Sequence, residues 1–178
     1  MPESVKPIAA IQGGASEIIQ GLLREFAETV APRVRVAGAV ERERAGADPE
    51  LSTLGDGRRF PIFQNLGPSS TACSVDSAGI VTACGAVLQD IAAGCDLLVL
   101  SKFGKLEAER SGLSAAFAAG VAAQIPILTS VAPKFDAQWR AFAAPLFEML
   151  PPRMTAIEAW WREAATARRR SRSLWAAD

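Results

Sequence analysis

A short apolar run that ends in an abrupt change to polar residues constrains the fold most. Leu97–Leu100 reads Leu-Leu-Val-Leu, which is too short for a helix and is typical of a strand buried on both faces of a parallel α/β sheet. Two lysines, a glycine and a glutamate follow within seven residues, at Lys102, Gly104, Lys105 and Glu107. Ligands of open α/β sheets bind just beyond the carboxyl ends of the strands. We therefore expect a functional site directly after this strand.

Length and charge indicate one globular domain without a strong electrostatic preference. The chain has 178 residues, of which 49% are hydrophobic, and Lys+Arg and Asp+Glu both total 19. This balance leaves no global field to attract nucleic acid or an anionic membrane. No apolar run approaches the ~20 residues that span a bilayer, and the N-terminus lacks the apolar region of a signal peptide. We expect a cytoplasmic protein with no nucleic-acid partner and no membrane insertion.

The residue types that are absent exclude several kinds of chemistry. The chain has no histidine and no tyrosine, which excludes Ser-His-Asp and Cys-His nucleophile pairs and His-ligated zinc. Cys73, Cys84 and Cys95 are spaced eleven residues apart and lack the close pairs of zinc or iron–sulfur sites. We interpret Cys84 and Cys95 as core residues and Cys73 as the more exposed thiol. No metal site is predicted.

Alternating short apolar runs and amphipathic helices predict an α/β fold, a three-layer αβα domain with a mainly parallel sheet, over residues 1–153. A C-terminal helix with a basic tail, residues 154–178, is expected to pack on the same domain. The expected parallel strands are Ile8–Ile11, Val34–Val40, Leu97–Leu100 and Ile127–Val131. The expected helices span 16–31, 77–93, 113–123, 135–150 and 157–170, with Pro145 kinking or dividing the fourth.

Two further segments are interpreted as irregular or edge structure. Residues 41–50 are charged and contain Gly46 and Pro49, which predicts a mobile surface loop. The Gly-Asp-Gly turn at 55–57 favours a β-hairpin or an excursion at the sheet edge. The arginines at 168–172 are interpreted as a frayed, solvated tail.

A glycine-rich turn, Gln12–Ser16, joins the first strand to the first helix. Free amides at such a turn and the helix dipole favour an anion, so Gly13, Gly14 and Ser16, the expected N-cap, are candidate ligand-binding residues. The turn has no lysine, and Glu17 has the wrong sign for a triphosphate, so the nucleotide signal is weak. A purely structural turn is the alternative.

A second candidate region combines two arginines with a hydroxyl-rich loop. Arg58 and Arg59 precede a segment rich in small hydroxyl residues that includes Ser69 and Ser70. Guanidinium groups and hydroxyls suit an oxyanion, although a plain Ser/Gly/Pro loop has the same composition.

The chain resembles an uncharacterised bacterial family. The resemblance extends from about Ile8 to Pro152, and its most specific part is Asp96-Leu-Leu-Val-Leu-Ser-Lys-Phe-Gly-Lys-Leu-Glu107. Supporting segments are Gly57-Arg-Arg59, Gln64-Asn-Leu-Gly67, Pro126-Ile-Leu-Thr129 and Trp139-Arg-Ala-Phe142. The family is described only as a domain of unknown function and is often encoded beside molybdate-uptake genes. It is similar in turn to small P-loop nucleoside triphosphatases, whose corresponding strand ends Asp-Glu-Ile-Gly-Lys-Met-Glu, and this implies a P-loop-NTPase-like fold.

The departures from that pattern concern catalysis. Where the hydrolases carry the Asp-Glu pair that holds Mg²⁺, this chain has Ser101 and Lys102, and its first turn lacks the phosphate-binding lysine. Phosphoryl transfer depends on metal bridging and charge neutralisation, so efficient hydrolysis is not expected. Lys102 is placed to supply a fixed positive charge instead. For Lys105 and Glu107 the alternative is a local ion pair that stabilises the loop.

The sequence and the resemblance together predict a protein that binds a small anion or nucleotide and is linked to molybdenum metabolism, with a nucleotide or molybdate as ligand and no efficient hydrolysis. The expected ligand-binding residues are Gly13, Gly14, Ser16, Arg58, Arg59, Ser69, Ser70, Lys102, Gly104, Lys105 and Glu107. Two alternatives stay open. One is a residual Mg²⁺-dependent nucleoside triphosphatase with Glu107 as base and Asp56 or Asp76 at the metal. The other is a structural or regulatory partner protein, such as a homodimer, with a decayed site.

Overall fold

Nine strands and six helices account for most of the chain that the structure describes. The computed structural model describes residues 5–64 and 74–175. The strands are β1 Ile8–Ile11, β2 Val36–Arg44, β3 Ala47–Thr53, β4 Arg59–Pro61, β5 Phe63–Gln64, β6 Ser74–Val75, β7 Leu97–Leu100, β8 Ile127–Ser130 and β9 Phe147–Leu150. The helices are α1 Ser16–Val30, α2 Ser77–Ala93, α3 Lys105–Ala108, α4 Ser114–Ala122, α5 Asp136–Ala143 and α6 Met154–Trp175, with a 3-10 turn at Pro133–Phe135.

Seven of the strands form one mainly parallel sheet. Its order is β4-β3-β2-β7-β8-β1-β9. Adjacent strands from β2 to β9 are parallel, and β3 and β4 add an antiparallel hairpin at one edge. The four strands expected to be parallel are therefore confirmed, with β7 between β2 and β8 in the interior of the sheet. β5 and β6 form a separate two-stranded ribbon.

The side chains of β7 show why the domain has three layers. All four residues of β7 are fully buried, so both faces of the strand are covered. Leu98 and Leu100 pack into the cluster that contains α2, α4 and α5, whereas Leu97 and Val99 pack into the cluster that contains α1 and α6. This alternation is the period-two pattern of a strand between two helical layers, and it confirms the predicted three-layer α/β class.

The prediction of a loop at residues 41–50 is wrong. β2 continues to Arg44, the chain turns at Gly46, and β3 returns antiparallel to it. Arg44 and Glu50 face each other across the hairpin, with Nη1 to Oε1 at 3.2 Å. Residues 41–50 of this hairpin are mostly charged and largely exposed, so this part of its strands lacks the apolar pattern by which a buried strand is recognised.

The prediction of one helix over 135–150 is also wrong. Helix α5 ends at Ala143, and Phe147–Leu150 forms β9, paired in parallel with β1. Pro145 has no amide hydrogen for a helix, so the chain leaves the helix there. In the sequence, the short apolar run after Pro145 resembles a further helical turn. It forms a strand because β1 offers an edge with which it pairs.

The C-terminal arginines lie in a helix rather than in a frayed tail. Helix α6 extends from Met154 to Trp175, and Nη2 of Arg168 donates a hydrogen bond to the carbonyl of Cys95 at 2.9 Å. Cys84 and Cys95 are buried, as expected, and burial raises the pKa of both thiols. Cys73 lies outside the described residues. Within the described ranges, no helix is long and apolar enough to cross a membrane.

Candidate functional site

The carboxyl ends of four strands converge on one cavity of about 420 Å³. Parallel strands end at the same edge of a sheet, so residues from distant parts of the sequence meet there. The residues that these ends contribute to the lining include Gly13, Gly14, Ser16, Glu41, Ser101, Lys102, Gly104, Ser130 and Lys134. Lys105 and Glu107, from α3, also line the cavity. We place the candidate site here.

The turn between β1 and α1 presents its backbone to the cavity. Gly13 has φ 101°, in the region that favours glycine, and a Cβ on Gly14 would lie 3.1 Å from Cγ of Pro152. Ser16 is the first residue of α1 and not its N-cap, which is Ala15 and offers no side-chain hydrogen bond. The first amides of the helix are therefore without a side-chain cap, as an anion-binding turn requires.

Lys102 forms an ion pair with a distant glutamate. Its Nζ lies 2.5 Å from Oε1 of Glu41, on β2. The Glu41 side chain is 14% exposed and that of Lys102 is 48% exposed. Residues 97–106 contain no acid, so the sequence around Lys102 did not show this partner, which comes from another strand. The lysine thus reaches the cavity with part of its charge compensated.

A buried glutamate holds the loop that follows β7. Oε2 of Glu107 accepts a hydrogen bond from the Gly104 amide and Oε1 accepts one from the Leu113 amide, both at 2.9 Å. Glu107 is 5% exposed, and a Cβ on Gly112 would overlap Oε1. The ion pair of Glu107 with Lys105, which was the alternative interpretation, is not formed, since this carboxylate bonds to backbone amides and no lysine of the described chain pairs with it.

The residues on either side of Lys102 are held in place. The Ser101 carbonyl accepts hydrogen bonds from Nε2 of Gln20, at 2.8 Å, and from Oγ of Ser130, at 2.7 Å. The Phe103 amide donates to the carbonyl of Ser130, and the Phe103 ring is buried in a cluster of aromatic rings from α4 and α5. The backbone that carries Lys102 is therefore fixed, while its side chain extends into the cavity.

Lys134 and a set of apolar side chains were not predicted. Lys134 follows β8 and its Nζ lies 5.2 Å from the centroid of the Phe135 ring. It is found by the rule that found Lys102, because it too comes just after a buried strand. Apolar side chains line the cavity from both sides of β7, and no local signal marks those on the β3 side. The β3 side contributes Leu51, Ile62, Phe63, Val75 and Ile80, and the other elements contribute Ile19, Phe103, Leu106, Leu113, Val131, Ala132, Pro133 and Phe135.

The structure does not bring the two predicted arginines to the cavity. Nε of Arg58 lies 2.5 Å from Oδ2 of Asp56, and Nη1 of Arg59 lies 3.9 Å from Oε2 of Glu50. These ion pairs keep both guanidinium groups at the β3–β4 hairpin, and neither arginine lines the cavity.

The carboxylates expected at a metal are also elsewhere. Asp56 accepts a hydrogen bond from Thr53, which is the main cause of its lowered pKa, and Asp76 accepts one from the Gly79 amide at the start of α2. Neither lines the cavity, and residues 5–64 and 74–175 contain no group of three or more potential metal ligands. The two aspartates expected at a metal therefore do not lie at the cavity. Ser69 and Ser70 lie outside the described residues.

A family model described as "Protein of unknown function (DUF2478)" matches residues 8–160. The chain belongs to this family. The chain is also 34% identical over 171 residues to the molybdenum import ATP-binding protein ModC 2 of Bradyrhizobium diazoefficiens. That match covers 93% of the chain but only 19% of the relative, so the chain spans about a fifth of its length. The family resemblance expected from the sequence is thus confirmed.

One solved structure shares the fold of this family member. THEP1 from the hyperthermophile Aquifex aeolicus superimposes with a TM-score of 0.56, over 81% of this chain and 87% of that chain. The sequence identity is 12%, so the likeness concerns the fold alone. The P-loop-NTPase-like fold class expected from the sequence is confirmed.

Proposed function

We propose that this protein binds a small anionic ligand at the carboxyl edge of its sheet and does not hydrolyse nucleotides efficiently. The observation that supports this most is the charge balance of the cavity. Lys102, Lys105 and Lys134 line it, whereas its two acids already have partners: Glu41 pairs with Lys102, and Glu107 accepts bonds from two amides. The cavity therefore keeps an excess of positive charge.

The donors in the cavity suit an oxyanion or a phosphate. An ammonium group has three donors, so Lys102 retains donors for a ligand while it holds Glu41. The backbone of Gly13 and Gly14 and the uncapped start of α1 add amide donors and a favourable helix dipole. A charge-assisted hydrogen bond contributes roughly 1.5–3 kcal/mol.

The same geometry argues against hydrolysis. Lys102 follows β7 where a nucleotide hydrolase of this fold would hold its metal, and Asp56 and Asp76, the carboxylates expected to replace those ligands, lie away from the cavity. Both oxygens of Glu107 are occupied by backbone amides, so this carboxylate is not free to accept a proton from water. Binding without turnover is the consistent interpretation.

A link to molybdenum metabolism forms the second half of the proposal. Its support is the similarity to a segment of a protein named a molybdenum import ATP-binding protein. We take molybdate and a nucleotide as the ligands to test. The role in molybdenum metabolism would belong to the segment that the two proteins share.

Calorimetric titration with molybdate, sulfate and ATP tests the site. Lys102→Ala should weaken binding about ten- to hundredfold, the equivalent of one charge-assisted contact. Arg170→Ala, on the exposed part of α6, is the control and should change little. Because Lys102→Ala also leaves the Glu41 carboxylate unpaired, the double variant Glu41→Gln/Lys102→Ala separates the lost contact from the added repulsion.

Glu41→Gln alone should act in the opposite direction. It frees Lys102 from an ion pair that a ligand must otherwise share, and a partly exposed pair of this kind is worth about 0–1 kcal/mol. We expect up to about fivefold tighter binding of each anion. Equal affinities in the parent, Lys102→Ala and Glu41→Gln proteins would refute the proposed site, and indifference to all three anions would favour the partner-protein alternative.

A further inference from the structure

We infer that the ligand is an organic anion with an apolar or aromatic body rather than a bare oxyanion. This inference rests on the proposed anion site and specifies the class of ligand that the site takes. It is based on the apolar side chains of the same cavity, which a bare oxyanion would not cover.

Part of the apolar lining forms a wall on the β3 side of the cavity. Val75, on β6, is 45% exposed, and Phe63 and Ile80 are half-buried beside it. Leu51 and Ile62 lie buried in the same lining. Val75, Phe63 and Ile80 leave apolar surface open to the cavity, where a ligand body can cover it.

The lysines and the turn glycines of the lining come from other elements. Gly13 and Gly14 follow β1, Lys102 follows β7 and Lys134 follows β8. In the sheet order, β1 and β8 lie on the far side of β7 from β2 and β3. The cavity therefore offers anion-binding groups from the elements after β1, β7 and β8 and, apart from them, the apolar wall; further apolar residues, such as Phe103 and Val131, line the β7–β8 side as well. This combination suits a molecule with an anionic end and an apolar body.

The size of the cavity agrees with this division. A volume of about 420 Å³ falls in the range of roughly 300–1,000 Å³ that small-molecule sites occupy. A tetrahedral oxyanion has only five heavy atoms, whereas the ligands that fill sites of this range are of drug size. A bare oxyanion would leave most of the cavity, including the apolar wall, in contact with water.

A series of phosphates that share one charged group tests the inference. Inorganic phosphate, phenyl phosphate and 1-naphthyl phosphate are titrated against the protein by calorimetry. Apolar surface removed from water strengthens binding, so 1-naphthyl phosphate should bind at least tenfold more tightly than inorganic phosphate, with phenyl phosphate between them. Lys102→Ala should weaken binding of all three by a similar factor, because all three use the same anion contacts.

Two matched valine variants locate the apolar contact. Val75→Ser should reduce the logarithm of the affinity ratio between 1-naphthyl phosphate and inorganic phosphate by at least half. It should leave the affinity for inorganic phosphate unchanged. Val81→Ser is the control, since Val81 is 50% exposed on α2 and does not line the cavity. Phe63→Ala is the second wall variant, and thermal melts of all variants report whether the fold is retained.

The outcomes separate this inference from the proposed function. If inorganic phosphate binds in a Lys102-dependent manner and the aryl phosphates bind no more tightly, the inference is refuted and the anion site stands. If neither inorganic nor aryl phosphates bind, the proposed function fails and the inference fails with it. An aryl advantage that survives both Val75→Ser and Phe63→Ala would show that the apolar wall is not the contact, which also refutes the inference.

Discussion

Replacing Glu107 by alanine removes the carboxylate that joins the loop after β7 to the start of α4. In the parent protein its two oxygens accept hydrogen bonds from the amides of Gly104 and Leu113, each at 2.9 Å, and the residue is 5% exposed. Alanine leaves both buried amides without these acceptors, and an unsatisfied buried donor is costly.

The expected loss of stability follows from these two bonds. A hydrogen bond to a charged group contributes about 1.5–3 kcal/mol, so the pair is worth about 3–6 kcal/mol before the cost of burying the carboxylate is subtracted. We expect Glu107→Ala to lower the free energy of unfolding by about 3 kcal/mol. For a chain of this size, that corresponds to a fall in Tm of roughly 6–12 °C. Glu107→Gln keeps one acceptor and should lose about half as much.

Chemical denaturation followed by tryptophan fluorescence measures the change, because Trp139 is buried beside Phe103, in the same loop region. Glu109→Ala is the matched control, since Glu109 is exposed at the end of α3. A loss below about 1 kcal/mol for Glu107→Ala, or equal losses for the two variants, would show that the loop does not depend on this carboxylate.

Three further predictions concern the sheet, Asp90 on α2, and catalysis. Gly38→Ala should cost on the order of 4 kcal/mol or more, because Gly38 has φ 129° and a Cβ there would overlap the carbonyl oxygen of Val99 on β7. Gly85→Ala, in an open position on α2, should instead stabilise by about 0.5–1 kcal/mol; urea unfolding compares them, and equal effects would contradict the argument. Burial and the neighbouring charge of Asp56 raise the pKa of the Asp90 carboxyl above its ordinary 3.8. The protonated carboxyl therefore favours the folded state at low pH, and this contribution to stability is lost as the pH rises through the raised pKa. The Tm difference between Asp90→Asn and the parent should therefore increase from about pH 3.5 to pH 7, and a difference independent of pH would refute this. Phosphate release from ATP or GTP should not exceed background with or without Mg²⁺; a Mg²⁺-dependent rate that Glu107→Gln abolishes would replace the binding proposal with a hydrolase.

Local patterns in the sequence were sufficient for the central strands and the main helices. Leu97–Leu100 and Ser77–Ala93 have the predicted bounds, because continuous burial of a strand and the amphipathic period of a helix are written in neighbouring residues. The change to polar residues after Leu100 also marked the edge of the sheet where the cavity lies, because parallel strands present their carboxyl ends at one edge.

Only the tertiary structure decided which distant residues meet. The pairing of Glu41 with Lys102 depends on β2 lying next to β7, and the strand at Phe147–Leu150 depends on the open edge of β1. In the sequence, Glu107 is a charged residue of a loop. In the structure it is buried and accepts hydrogen bonds from two backbone amides, and no sequence pattern displays such partners. Arg58, which precedes the hydroxyl-rich segment in the sequence, pairs instead within its own hairpin. Strand order and long-range packing are set by contacts between segments far apart in the chain, and so the charge and the shape of the cavity became visible only in the folded protein.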